Sequence, residues 1–149
     1  MATSEQFRTE TRNGYTYEID AGGRTRRVSG SLAIAGTQIR SRTSQLQAGG
    51  PDRRSTDDGG HYIAVRFAGP TESFNHFAQD ANFNRGGYRV LENDWGRATR
   101  AGKKVTVKIV PVYESSSTRP AAIDVWFTID GHLGSQHFRN EPKGKHRGK

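Results

Sequence analysis

Three residues of this chain, His61, Asn84 and Glu92, have the types and spacing to combine acid–base with metal chemistry. His61 closes the run Asp57-Asp58-Gly59-Gly60-His61. The glycine pair lets a substrate approach an imidazole whose ordinary pKa lies near neutral, and Asp58 is close enough to orient the ring and set its tautomer. Asn84 opens Asn84-Arg85-Gly86-Gly87, and its amide oxygen is the neutral, hard donor that Mg²⁺ accepts. Glu92 follows eight residues later, about 80° round a regular helix and roughly 12 Å along it. The two are too far apart to touch one ion together. If both serve one site, Asn84 is the direct ligand and Glu92 acts through water.

Each piece has a plainer reading when taken alone. Asp-Gly-Gly is a common turn, and His61 shares parity with Ile63, Val65 and Phe67, as a core histidine would. Asn84 suits a helix N-cap, and Glu92 suits an exposed helical carboxylate.

The elements that must position these residues follow from hydrophobic periodicity. Tyr15, Tyr17 and Ile19 alternate with polar residues, Ala21-Gly22-Gly23 marks a turn, and Val28, Leu32 and Ile34 fall again on one parity, which predicts a β-hairpin. Residues 38–58 are polar, broken by Gly49-Gly50-Pro51, and carry Arg40, Arg42, Arg53 and Arg54; they read as a long basic loop. His61 to Phe67 alternates as a short strand stopped by Gly69-Pro70. Tyr88, Leu91, Trp95 and Ala98 recur at helical spacing from a start at Asn84, with Gly102 as the stop. Lys104 to Tyr113 and Ile123 to Ile129 alternate as an antiparallel hairpin. The parity of Trp126 is opposite to that of Ile123, Val125 and Phe127, and His132, His137 and His146 read as surface residues. This order predicts an α+β fold with an antiparallel sheet and one main helix, in a single domain over residues 1–138.

Composition narrows the partner. The 149 residues carry a net charge of +8 with 32% hydrophobic side chains, and half of that excess lies in residues 139–149, which read as a disordered basic tail. An excess of that sign favours a polyanion such as nucleic acid. Without cysteine there is no disulfide and no thiolate chemistry. No apolar run is long enough for a membrane span, and the polar start lacks the apolar stretch of a signal peptide, so no membrane partner is expected.

Taken in order, these segments resemble a known pattern. Asp58-Gly59-Gly60-His61, Asn75-His76-Phe77-Ala78-Gln79 and Asn84-Arg85-Gly86-Gly87-Tyr88-Arg89-Val90-Leu91-Glu92 resemble the Asp-Arg-Gly-His, Asn-x-x-Pro-Gln and Asn-x-Gly-x-Trp-x-x-Leu-Glu motifs of the DNA/RNA non-specific endonucleases, the ββα-metal (His-Me finger) nucleases. The Asp-Asp-Gly-Gly-His spelling and the start Tyr15-Thr16-Tyr17-Glu18-Ile19-Asp20 resemble the bacterial toxin branch.

The resemblance implies Mg²⁺-dependent hydrolysis of phosphodiester bonds in DNA, with RNA as a second substrate and Mn²⁺ as a substitute ion. It makes His61 the general base, with Asp58 beside it, Asn84 the metal ligand, and Glu92 the residue that orders water around the ion. Asn75, Gln79 and Arg85 become substrate-binding candidates. It also implies an exported bacterial effector that acts in a target-cell cytoplasm and is held in check by a cognate immunity protein. Gly59 stands where the pattern has arginine, so Arg54 or Arg66 must grip the phosphate; Arg66 falls on the opposite face of a regular strand, which favours Arg54. A non-catalytic basic nucleic-acid-binding module is the competing function.

Overall fold

The computed structural model describes residues 6–35, 42–81, 83 and 86–141. An antiparallel six-stranded sheet forms the body, in the order β1 (Arg8–Arg12), β2 (Tyr15–Ile19), β3 (Thr25–Ser31), β6 (Val105–Val112), β7 (Ala122–Ile129) and β8 (His132–Arg139). A separate antiparallel pair, β4 (Asp57–His61) and β5 (His76–Asp80), carries the histidine. Helices include a short α1 (Arg42–Gln47) and a 14-residue α2 (Gly87–Arg100).

Alternation places one face of the large sheet in the core. Tyr15, Tyr17, Ile19, Val28, Val105, Val107, Ile109, Ile123 and Val125 are all buried there. The apolar stripe of α2 meets them with Tyr88, Leu91 and Trp95, and the Trp95 ring stands edge-on to Phe127 at 5.7 Å. Burying a large apolar side chain of this kind contributes about 1.5–3 kcal/mol. Trp126 lies on the outer face with the Lys108 ammonium 4.8 Å from its ring centre. No helix is long and apolar enough to cross a membrane among the described residues.

The β4–β5 pair is tied to this body by buried hydrogen bonds. The Tyr88 hydroxyl donates to the Tyr62 carbonyl at 2.7 Å, and the Tyr15 hydroxyl donates to the Phe67 carbonyl at 2.6 Å. Asn140 is fully buried: its Oδ1 accepts the Asp80 N–H, and its Nδ2 donates to the Ala78 and Pro120 carbonyls. Strand β8 and Asn140 therefore continue the packed chain past residue 138, where a tail was expected to begin; residues 142–149 of that tail lie outside the described residues.

Several segments differ from the periodicity reading. The strand expected over His61–Phe67 stops at His61, because its partner β5 begins at His76, directly opposite. Val65–Phe67 then coils into a single 3₁₀ turn closed by Ala68 in the left-handed region at φ 61°. Strands β1, β5 and β8 stand where no strand was expected. They are short or edge elements whose polar side chains face solvent, or whose residues are buried on both faces, and neither case writes a clean alternation. The basic loop contains α1 and a 3₁₀ turn at Gly50–Asp52.

Candidate active site

His61 ends β4, and α2 runs past it. Between them lies an open cleft of about 310 Å³ lined by His61, Ala64, Val65, Arg66, Arg89, Glu92 and Asn93. Glu92 is only 6% exposed, and this burial pushes its carboxyl up to about 7 against the pull of Arg66 and Arg89. A carboxyl that titrates near neutrality beside a histidine is a pairing suited to proton transfer and cation binding.

Arg66 reaches the cleft because β4 ends early. The turn at Val65–Phe67 swings its guanidinium onto α2, where Nη2 donates to Asn93 Oδ1 at 2.6 Å. Neither Arg66 nor Arg89 has a carboxylate ion-pair partner among the described residues, whereas Arg8, Arg12, Arg24, Arg26, Arg27, Arg54, Arg97 and Arg119 all do. Two guanidiniums against one buried carboxyl leave the cleft edge a seat for an anion.

Arg54, favoured from the sequence, is elsewhere. It precedes β4, whose five residues span roughly 13 Å, and its Nη1 is 3.0 Å from Glu141 Oε1 in a different cleft with Arg119, His137 and Arg139. The expectation that Arg54 rather than Arg66 sits beside His61 does not match the cleft lining. It assumed a regular strand through residue 66, and the strand has no partner beyond His61.

Asn75 is 1% exposed and braces the chain after His61. Its Oδ1 accepts from the Tyr17 hydroxyl at 2.6 Å and the Ile63 N–H at 3.0 Å, while Nδ2 donates to the Ile63 and Pro70 carbonyls. That fills the capacity of the amide, so Asn75 shapes the cleft without touching substrate. Gln79 is fully buried opposite Asp58, and its amide atoms have no hydrogen-bond partner among the described residues. It fills the space beneath Gly60, where a Cβ would stand 1.9 Å from Gln79 Oε1. It does not line the cleft.

Asp58 alternates away from His61 and is also outside the cleft lining. Its neighbour Asp57 forms a buried pair with Arg119, two contacts of 2.8 Å, and accepts the Arg54 N–H. Asn84 and Arg85 lie outside the described residues.

With this cleft in place, likeness to known proteins becomes informative. Residues 4–131 match the family described as DNA/RNA non-specific endonuclease. The chain belongs to that family. Its members are nucleic-acid hydrolases, and the α+β architecture expected from the sequence is the one found. The type VII secretion system protein EssD of Staphylococcus aureus (strain USA300) is 31% identical over 137 residues, covering 88% of this chain. This chain spans only 22% of that relative's length. Among solved structures, NucA from Streptococcus agalactiae with magnesium ion bound has a TM-score of 0.70 at 16% identity, covering 93% of this chain and 84% of its own. The Sda1 nuclease with bound zinc ion has a TM-score of 0.67 at 18% identity, covering 87% and 76%.

Within this endonuclease family member, Arg89 and Asn93 line the cleft, although motif reading gave them no role. Their signal was nevertheless present: positions 89, 92, 93 and 96 form a second stripe on α2 beside the apolar one. The donors suit a magnesium-like ion. Glu92 is an oxygen donor in the cleft, and no group of three or more His, Cys, Asp or Glu side chains converges among the described residues. Any cation held here keeps most of its own water, as Mg²⁺ does and an all-protein cage does not require.

Proposed function

We propose that this chain is a Mg²⁺-dependent, sequence-non-specific endonuclease that cleaves DNA, with RNA as a second substrate and Mn²⁺ as a workable substitute ion. The observation that carries the reading is one cleft holding His61, a buried Glu92 and two arginines that make no close ion pair among the described residues. His61 takes the proton from the attacking water, a role its near-neutral ordinary pKa suits. Arg66 and Arg89 hold the non-bridging oxygens of the scissile phosphate, replacing the motif arginine that Gly59 lacks. Glu92 accepts hydrogen bonds from water in the cleft and so orders it. When bound at the Asn84 amide oxygen, Mg²⁺ supplies positive charge for the crowded phosphate and the departing 3′ oxygen.

The EssD likeness supports a wider proposal. This chain is the nuclease part of an exported bacterial effector, delivered to a target-cell cytoplasm and neutralised by a cognate immunity protein in the producing cell. The competing reading, a module that binds nucleic acid without cutting it, separates cleanly by experiment. Plasmid DNA and total RNA are incubated with wild type and His61→Ala in Mg²⁺, Mn²⁺ or EDTA. Cleavage is expected only for wild type with a divalent ion, while His61→Ala stays folded and retains binding. Cleavage by His61→Ala, or intact DNA with every ion, overturns the reading.

A further inference from the structure

A second pocket of about 190 Å³ opens between the β2–β3 turn, the end of α1 and the loop after β6. The two sites meet at a histidine pair. His61 and His76 are register partners, their ring centres are 6.4 Å apart, and His76 lines the second pocket while His61 lines the first. The half-buried rings of Phe74, His76 and Tyr113 form its walls above the buried Tyr62 and Phe77. The Arg24 guanidinium lies 4.7 Å from the centre of the Tyr113 ring.

Two polar groups here have hydrogen-bonding capacity to spare. His76 Nδ1 is 3.0 Å from the Glu72 carbonyl, so Nδ1 carries the proton and donates, and Nε2 is left as an acceptor without a partner among the described residues. Burial holds the His76 pKa below the ordinary value, which keeps that tautomer neutral. Tyr62 is 1% exposed, yet its hydroxyl has only a 3.5 Å contact with the Tyr113 hydroxyl, which itself donates to the Thr25 carbonyl at 2.7 Å. A buried hydroxyl so weakly satisfied costs stability unless something else meets it.

We propose that this pocket binds the nucleobase of a nucleotide flanking the cleaved bond. The inference rests on the nuclease reading, because it takes the polymer crossing the His61 cleft as the source of the base. A nucleobase is flat and aromatic, with donors and acceptors along its edge, which matches ringed walls above an acceptor nitrogen and a hydroxyl. The volume is below the roughly 300 Å³ at which drug-sized sites begin, and suits a single ring system. Stacking on side-chain rings tolerates every base, so such a subsite adds affinity without imposing a sequence. It also requires the base to leave a duplex stack, so single-stranded or frayed substrate is preferred.

The test is a set of single-stranded oligonucleotides, each with one abasic residue at a successive position, cleaved under single-turnover conditions with Mg²⁺. For wild type, an abasic residue at one fixed offset from a bond slows cleavage of that bond about 5- to 100-fold, the range that stacking of one base supplies. In Tyr113→Ala and in His76→Ala the penalty at that offset disappears, with folding checked by circular dichroism. No offset-specific penalty in wild type, or an undiminished penalty in both folded variants, overturns the subsite. The same oligonucleotides titrated as ligands onto His61→Ala need no turnover. Loss of affinity for one abasic position there that Tyr113→Ala abolishes, together with no cleavage by wild type, would sink the nuclease reading and leave only a base-binding pocket.

Discussion

The carbonyl oxygen of Gln45 lies directly over Gly59, so close that a Cβ on Gly59 would stand 2.1 Å from it. Helix α1 thus occupies the space that the motif arginine's side chain would need. The helix is held there by the Arg53 guanidinium, which donates to the carbonyls of Gln45 at 2.6 Å and Leu46 at 3.1 Å. Restoring the family's arginine by Gly59→Arg is therefore expected to lower stability by about 1–3 kcal/mol or more, because α1 must be displaced. Activity should fall with it. Thermal unfolding and plasmid cleavage check this; an unchanged Tm with faster cleavage would refute it.

Arg66 and Arg54 should behave differently on mutation. Arg66→Ala is expected to lower kcat/KM about 10- to 100-fold, the worth of a hydrogen bond to a charged group, and to flatten the salt dependence. Arg54→Ala breaks only an exposed pair with Glu141 and is expected to change kcat/KM less than about threefold. Steady-state kinetics on a defined oligonucleotide at several salt concentrations separates them, and equal losses would remove Arg66 from the site.

Glu92 makes the metal-free protein sensitive to pH. Burial raises its folded-state pKa from 4.5 to about 7, so the folded chain favours the protonated form. Below the unfolded value the carboxyl is protonated in both states and costs nothing. Stability is then lost as pH rises through that window, by up to about 3 kcal/mol. Denaturant melts in EDTA at pH 4.5 and pH 8 should show the loss in wild type and a much smaller one in Glu92→Gln. If the two proteins share one pH dependence, the cause lies elsewhere.

Asp57 works in the opposite direction. Burial opposes its charge, but hydrogen bonds from Arg119 and from the Arg54 N–H outweigh that cost and hold the carboxyl below its ordinary value. The stabilisation is present above the unfolded pKa and disappears as acid protonates Asp57. Arg119→Ala strands a buried carboxylate and is expected to cost about 3–5 kcal/mol at pH 7. The deficit should shrink below about pH 4, where the stranded group becomes neutral. Urea melts at both pH values check it, and a deficit independent of pH would argue for packing loss alone.

The sequence by itself determined the family and much of the frame. The order of the motifs ending at His61, Gln79 and Glu92 pointed to the family that the match over residues 4–131 shows. The alternation of Tyr15-Tyr17-Ile19 and of Val105-Val107-Ile109 wrote the sheet, and Tyr88-Leu91-Trp95 wrote α2, since burial of one face leaves a period in the chain. Strand β5 left no such period: Phe77, Ala78, Gln79 and Asp80 are all buried, so both faces carry residues that do not alternate. Only the tertiary structure decided which arginine lines the His61 cleft, because Arg66 reaches α2 through the end of a strand, and a strand ends where its partner does. It also decided that Asn75 and Gln79 are internal and that Gly59 lies under Gln45. Those outcomes depend on contacts between residues as far as 58 positions apart, as between Tyr17 and Asn75. No local pattern records them.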